Sequence, residues 1–284
     1  MTSASIARLR DGNSTGGRTW AMGRLAGDDA TLERFSDILM DRWRGGDRLV
    51  VLGNMLGEAG SPTRTLDRLL WLRRKLLAKP GAEAEDFVFL RGALEEMWHR
   101  VLQLQFAMSP LDVLDWMLAR GLAATIEAYG HSVAEGRAAS RNGPLAIARW
   151  TAGLRERQAL QPGHGELMNS LARAALSADG GVVFAAAGVD PTRPLAEQAD
   201  AFWWSNQSDE TLDASIGKAV DGGWPAVRRV VRGSGPPGNA ALPDGRILTV
   251  SAGNPGLVLL GDDGSLLERI DAYCGFDHGH SPHG

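Results

Sequence analysis

The sequence predicts an α/β fold, because short apolar runs that end in glycine alternate with helical segments. Residues 46–54 and 86–96 each contain such a run, which is typical of a buried strand that delivers a loop to the edge of a sheet. The charge-rich segment 65–79 between them has a helical pattern, so the two strands are expected to be parallel neighbours. Loops at the carboxyl ends of parallel strands usually carry function, and here they are residues 53–57 and 92–95.

The chain before this unit is predicted to contain a tail, one strand and one helix. Residues 1–18 are polar and rich in Gly, Ser and Thr, which favours a disordered tail. Residues 19–23 form a short strand, and the segment that follows places its apolar residues on one helical face. Those apolar residues are Leu32, Phe35, Ile38 and Leu39.

The middle of the chain is predicted to be helical. A helical pattern runs over residues 96–135, a polar break follows at residues 136–143, and residues 145–160 and 166–176 form two more helices. Together they make a helical insertion over about residues 97–176.

The last third of the chain is predicted to return to strands. Residues 180–189 and 227–236 are apolar runs that end near glycine, as in the first part of the chain. Residues 246–252 and 256–260 form a terminal pair of strands, and residues 266–270 add a third.

Composition limits the function classes. The chain has 284 residues, of which 44% are hydrophobic and 23% charged, and its net charge of −4 gives no basic footprint for nucleic acid. One cysteine excludes an internal disulfide framework and suits a reducing cytoplasm. No signal peptide and no membrane-spanning run is recognisable. We expect one cytoplasmic domain over residues 19–272, followed by a flexible, histidine-containing tail at residues 273–284.

The glycine-ended runs resemble the motif frames of the calcineurin-like metallophosphatases, in particular the bacterial serine/threonine protein phosphatase and diadenosine tetraphosphatase branch. "GDRLVVLG" and "FVFLRG" match the strands that precede two of that family's motifs, and three further frames occur in the right order. The resemblance covers roughly residues 19–270. It implies two packed β-sheets flanked by helices, with a helical insertion, and in the family a centre of two divalent ions of the Mn, Fe or Mg type.

The motif residues themselves are replaced in this chain. Leu94 stands where the family has its general-acid histidine, Glu58 where it has a phosphate-binding arginine, and Gly57 where it has a second aspartate. Arg232 stands where the family has a further histidine. The positions matched to metal ligands are Arg24, Ala26, Asn54, Ala93, Ala186 and Ser234.

These replacements remove the chemistry that the resemblance would imply. Alanine cannot ligate a metal, arginine repels a cation, and the neutral oxygens of Asn and Ser hold Mg²⁺ or Mn²⁺ poorly. Leucine has no proton to give, and a glutamate repels phosphate. We therefore expect no catalytic residue, no metal site and no cofactor.

Three functional hypotheses follow. The first is a catalytically inactive metallophosphatase-like protein with a regulatory or scaffold role, which binds a protein partner and neither nucleic acid nor membrane. The second is a weakly active, metal-dependent serine/threonine or nucleotide phosphoesterase, that is, a phosphoric ester hydrolase. The third is a sensor that binds a small anion or a nucleotide through Arg24 and Arg232. Alternatively, those two arginines form structural salt bridges with Glu58, Asp28 or Glu95.

Overall fold

The computed structural model describes residues 6–11, 17–58, 60–221, 224, 227–237 and 245–272. The strands in this part of the chain are β1 (Ile6–Arg8), β2 (Thr19–Met22), β3 (Arg48–Val51), β4 (Phe87–Phe89), β5 (Ala174–Leu176), β6 (Val182–Ala185), β7 (Arg229–Ser234), β8 (Ile247–Ser251), β9 (Gly256–Leu260) and β10 (Leu266–Asp271). The helices are α1 (Asp29–Arg42), α2 (Pro62–Leu77), α3 (Ala93–Val101), α4 (Pro110–Met117), α5 (Ala123–Ala128), α6 (Val133–Arg141), α7 (Pro144–Ala159), α8 (His164–Ser170), α9 (Ala201–Trp204) and α10 (Asp209–Asp221).

The strands form two sheets. Sheet 1 has the order β10-β9-β2-β3-β4, and sheet 2 has the order β1-β5-β6-β7-β8. In sheet 1, β2, β3 and β4 are parallel, and β9 pairs antiparallel with β2. In sheet 2, β6, β7 and β8 are parallel. The strand–helix–strand unit predicted from the sequence is therefore confirmed, and so are the three terminal strands.

Side chains alternate between the two faces of each strand, and this alternation sorts the core into layers. In β3, Val50 packs in the cluster between the two sheets, whereas Leu49 and Val51 pack against the helices outside sheet 1. In β7, Val231 belongs to the cluster between the sheets and Val230 to the cluster beneath α9 and α10. The result is four layers in the order helices, sheet 1, sheet 2 and helices, which agrees with the predicted α/β fold with two packed sheets.

The structure corrects the predicted tail and the predicted last helix of the insertion. Ile6–Arg8 is a strand, parallel to Ala174–Leu176, within the segment expected to be disordered. The helix expected over residues 166–176 ends at Ser170, and Ala174–Leu176 is a strand. The rest of the predicted tail, residues 1–5 and 12–16, and the predicted tail at residues 273–284 lie outside the described residues.

The insertion is also divided differently from the prediction. The expected run over residues 96–135 consists of separate helices, interrupted by turns such as the one at Gly121, where φ is +93°. The expected break at residues 136–143 is wrong, because Val133–Arg141 is helical and the chain turns at Gly143. Gly136 serves packing, since a Cβ there would lie 2.6 Å from the ring of Trp150. Within the described residues, no helix combines the length and the apolar character needed to cross a bilayer.

Candidate functional site

Three of the loops that resemble metallophosphatase motifs are joined through Asn54. Its C=O accepts hydrogen bonds from the N–H groups of Leu25 at 3.2 Å and Ala26 at 2.8 Å. Its side-chain Oδ1 accepts the N–H of Leu94 at 3.1 Å. The loops after β2, β3 and β4 therefore meet at one residue.

The loops of sheet 2 meet this assembly at Gly233. The N–H of Ser234 donates to the C=O of Ala186 at 3.1 Å. A Cβ on Gly233 would lie 2.8 Å from the carbonyl oxygen of Leu52, at the end of β3, so the two sheets approach closely here. We call this region the loop edge; it consists of residues 23–27, 53–58, 92–95, 186–188 and 233–236. It brings together the positions matched to metal ligands, which are Arg24, Ala26, Asn54, Ala93, Ala186 and Ser234.

Asn54 is held in an unusual backbone conformation by its neighbours. Its φ is +53°, in the left-handed region that asparagine tolerates better than most residues, and its side chain is buried. Gly53, with φ +78°, precedes it, and a Cβ on Gly53 would lie 2.6 Å from the backbone nitrogen of Gly92. The side-chain oxygen of Asn54 is thus already used in a hydrogen bond within the protein.

Glu95 fastens the loop after β3 to the start of α3. Its carboxylate is fully buried. It accepts the N–H groups of Asn54, Met55 and Gly92 at 2.8 Å each, and that of Leu56 at 3.0 Å. Burial raises the pKa of the Glu95 carboxyl, and the four N–H donors oppose that rise. The carboxylate is therefore a structural clasp with no lone pair directed at a ligand, and not a salt-bridge partner of either arginine.

Leu94, where the resembling family has a general acid, is packed away from solvent. The side chain is buried, and a Cβ on Gly57 would lie 2.4 Å from its Cδ1 atom. Gly57 has φ +132°, which few other residues adopt. The two replaced positions therefore fit each other as a packing pair.

Arg24 forms an ion pair with Glu58 on the rim of the loop edge. The Arg24 Nη2 to Glu58 Oε1 distance is 2.7 Å, and the side chains are 34% and 48% exposed. Glu58 also lies against the insertion, since a Cβ on Gly121 would fall 2.0 Å from its Cγ atom. Arg24 therefore forms a salt bridge with Glu58, which is one of the partners expected from the sequence. An exposed pair of this kind contributes only about 0–1 kcal/mol to the stability of the fold.

Arg232 does not lie on the loop edge as a surface cation. Its side chain is completely buried and donates to Asp209 at 2.5 Å and to Thr249 Oγ1 at 2.8 Å. It also donates to the carbonyl groups of Ala187 and Gln207. Burial lowers the pKa of the Arg232 guanidinium, and the Asp209 carboxylate opposes that change. A pocket that uses both Arg24 and Arg232 for an anion is therefore corrected to one that has Arg24 alone.

The residues of the loop edge do not fit a two-metal centre. Such a centre needs carboxylate and imidazole ligands around two cations, and the side chains at the six matched ligand positions are three methyl groups, a guanidinium, an amide and a hydroxyl. In the part of the chain that the structure describes, no group of three or more His, Cys, Asp or Glu side chains is placed to hold a metal ion. We therefore derive no reaction step through a metal.

A cavity of about 400 Å³ opens at the loop edge on the side of Arg24. Ala26, Ser234 and Thr249 line it, together with Ser251, whose buried hydroxyl has no hydrogen-bond partner among the described residues. Its charged lining side chain is Arg24. The cavity can therefore accept a small polar or acidic group, but it offers no histidine or carboxylate to act as a base.

No protein-family model matches the sequence, and no curated protein matches it. Solved structures are similar in fold. A candidate diadenosine tetraphosphatase matches at 15% identity and a TM-score of 0.45, covering 96% of this chain and 100% of the other. A Saccharomyces cerevisiae serine/threonine phosphatase with similarity to human phosphatase PP5 matches at 11% identity and a TM-score of 0.46, with coverages of 97% and 86%.

A mutant of a cold-active protein tyrosine phosphatase is also similar, at 12% identity and a TM-score of 0.44, covering 95% of this chain and 83% of the other. At such identities and TM-scores the similarity concerns overall shape, and we take nothing about activity from it.

Sequence reasoning missed the roles of two residues that organise the site, because Glu95 was considered only as an ion-pair partner of an arginine and Asp209 was not identified. Glu95 follows Gly92 by three residues at the start of a helix, which is the spacing of a capping box, and that signal could have identified it. Asp209 begins α10, a helix absent from the prediction, although Leu212 and Ile216 give it the spacing of a buried helical face.

Proposed function

We propose that this chain is a non-catalytic protein with a metallophosphatase-like architecture, and that it acts by binding in a regulatory or scaffold role. The observation that supports this most is the hydrogen bonding of the Asn54 side chain, which is the only amide among the matched ligand positions. Its oxygen accepts the Leu94 N–H, so it is committed to holding two loops together. An active centre would need that oxygen for a cation.

The rest of the loop edge supports the same proposal. Leu94 has no proton to donate, and Glu58 is a carboxylate that would repel a phosphate and that already holds Arg24 in an ion pair. Glu95 satisfies four backbone N–H groups without any metal, so the loops have a reason to keep their shape in its absence. These are the features of a scaffold that is stable without ions.

The binding partner that we propose is another protein, met in the cytoplasm. The cytoplasmic setting rests on the single cysteine of the sequence. At the loop edge, an acidic side chain of the partner would compete with Glu58 for Arg24 and enter the cavity lined by Ser234 and Ser251.

The test is an assay of the purified full chain on p-nitrophenyl phosphate, phosphopeptides and diadenosine tetraphosphate, with Mn²⁺, Fe²⁺ or Mg²⁺ added, alongside metal analysis of the protein as purified. We expect no metal at stoichiometric level and no turnover above that of the variant Arg24→Ala/Ser234→Ala, which changes two loop-edge side chains. An active metallophosphatase assayed in parallel shows that the conditions permit turnover. Metal-dependent hydrolysis that this variant loses would replace the proposal with the weak phosphoesterase.

A further inference from the structure

A groove of about 730 Å³ runs along the side of the molecule, beside β4 and away from the loop edge. Phe87 and Phe89 of β4 line it, together with Leu70 of α2 and Leu167 of α8. The lining therefore offers apolar contacts along a strand at the end of its sheet.

The backbone of β4 has an open hydrogen-bonding position in this groove. The N–H of Leu90 donates to the C=O of Val51 in β3, so the polar groups of Phe87 and Phe89, three residues and one residue earlier, point the other way. On that side the C=O of Phe89 accepts the N–H of Ala172 at 2.9 Å. The C=O of Phe87 and the N–H of Phe89 remain, and neither has a hydrogen-bond partner among the described residues. Such an edge is a template for another strand.

Ala172 shows how an extended residue pairs with the open edge of β4. Its N–H donates to the C=O of Phe89 and its C=O accepts the N–H of Arg91, each at 2.8–2.9 Å, so one extended residue brackets Leu90. The chain cannot continue this pairing backwards along β4, because the preceding residues form α8. A residue from elsewhere could bracket Val88 in the same way.

Two charged side chains line the groove. Arg73 of α2 and Glu166 of α8 both line it, and within the described part of the chain neither forms a hydrogen bond or an ion pair through its side chain. Helix α2 therefore contributes a cation to the groove and α8 an anion. A peptide with an apolar residue between an acidic and a basic one complements this arrangement.

We propose that this groove binds an extended segment of a partner protein by strand addition to β4, with the segment's backbone bonded to Phe87 and Phe89. An apolar side chain of the segment lies against the groove wall, and flanking acidic and basic side chains face Arg73 and Glu166. Main-chain hydrogen bonds then give affinity, and the apolar and charged contacts give specificity. The groove is separate from the loop edge, so either proposal can fail without the other.

The experiment selects peptides on the full chain from a phage-displayed library of random linear peptides and maps the best one by amide hydrogen exchange in NMR spectra. In the free protein the Phe89 amide should exchange faster than the Val88 amide, which faces β3. Bound peptide should slow Phe89 by about tenfold or more, as for an amide newly hydrogen-bonded with a net gain of about 1.4 kcal/mol. Arg73→Glu should weaken that peptide about fivefold and select basic instead of acidic residues. Arg74→Glu, on the same helix but outside the groove, is the matched control.

Several results would overturn the proposal. They are the failure to select any peptide, a selected peptide that leaves Phe89 exchange unchanged, and equal effects of Arg73→Glu and Arg74→Glu. A Phe89 amide already protected in the free protein would also do so. If deletion of residues 1–5 then released it, the occupant would be the chain's own start, and if dilution released it, a second copy.

Discussion

Arg24 and Arg232 stand at two positions of the same motif pattern, yet the structure gives them opposite environments. Arg24 is on the rim, a third exposed, and paired with a half-exposed Glu58. Arg232 is completely buried and makes hydrogen bonds to Asp209, Thr249 and two carbonyl groups. Residue type alone therefore does not indicate a binding cation. What separates the two is whether groups inside the protein already accept hydrogen bonds from all three nitrogens of the guanidinium, as they do for Arg232.

This difference predicts opposite effects on stability and on binding. The buried pair ties α10 to β7 and β8, so it should matter for folding and be inaccessible to a ligand. The exposed pair is weak and open to exchange, so it should matter for binding and little for folding.

The largest effect is expected for Asp209→Ala. The substitution leaves the Arg232 guanidinium buried without its counter-ion, which should lower the free energy of unfolding by about 3–5 kcal/mol. Urea denaturation followed by circular dichroism measures it. The double variant Asp209→Leu/Arg232→Met is the control, and it should lose much less because no charge remains buried. A single variant within about 1 kcal/mol of the unmodified chain would contradict the structural role assigned to the pair.

The partner of Arg232 was hidden from sequence reasoning by distance along the chain. The strand that contains Arg232 was predicted from its apolar run, but Asp209 lies 23 residues before Arg232 in the sequence, on α10. Nothing local to Arg232 indicates which carboxylate it meets. The contact is set by how α10 packs on sheet 2, which is a tertiary property.

The same limit explains the strands that were missed. Ala174–Leu176 consists of two alanines and a leucine, which favour helix locally, and it becomes a strand because it pairs with β1 and β6. Ile6–Arg8 is only three residues long within a polar segment, and its partner is far away in sequence. By contrast, β3 and β4 were predicted well because each is a continuous apolar run that ends near glycine, a signal contained within the segment itself.

Glu95→Gln tests a buried carboxylate that is held by backbone N–H groups instead of by an arginine. A glutamine amide nitrogen cannot accept, so two of the four N–H groups now bonded to Glu95 would lose their acceptor. We expect a loss of about 2–4 kcal/mol in the free energy of unfolding. Glu268→Gln, which affects an exposed ion pair with Arg42, should cost under about 1 kcal/mol. Equal losses of stability in the two variants would mean that Glu95 has no special role in holding the loop after β3 to the start of α3.

The smallest effect on stability is expected at the exposed pair, where the two single variants should separate binding from folding. Arg24→Ala and Glu58→Ala should each change the free energy of unfolding by less than about 1 kcal/mol, because solvent screens the pair. On binding they should act in opposite directions. Removing Glu58 frees the guanidinium for an incoming anion, whereas removing Arg24 takes away the charged lining side chain of the cavity.

Titration with inorganic phosphate, followed by calorimetry, measures the difference between these two variants. Glu58→Ala should bind phosphate several-fold more tightly than the unmodified chain, and Arg24→Ala should bind it more weakly. The free energies of phosphate binding of the two variants should differ by about 1 kcal/mol or more. Ser140→Ala, a hydroxyl on α6 outside the loop edge, is the control and should leave the titration unchanged. If both charge variants bind phosphate like the unmodified chain, the loop edge does not recognise anions through Arg24. The rim pair would then be a surface contact with no part in recognition, and the loop edge would have to bind its partner through its uncharged cavity.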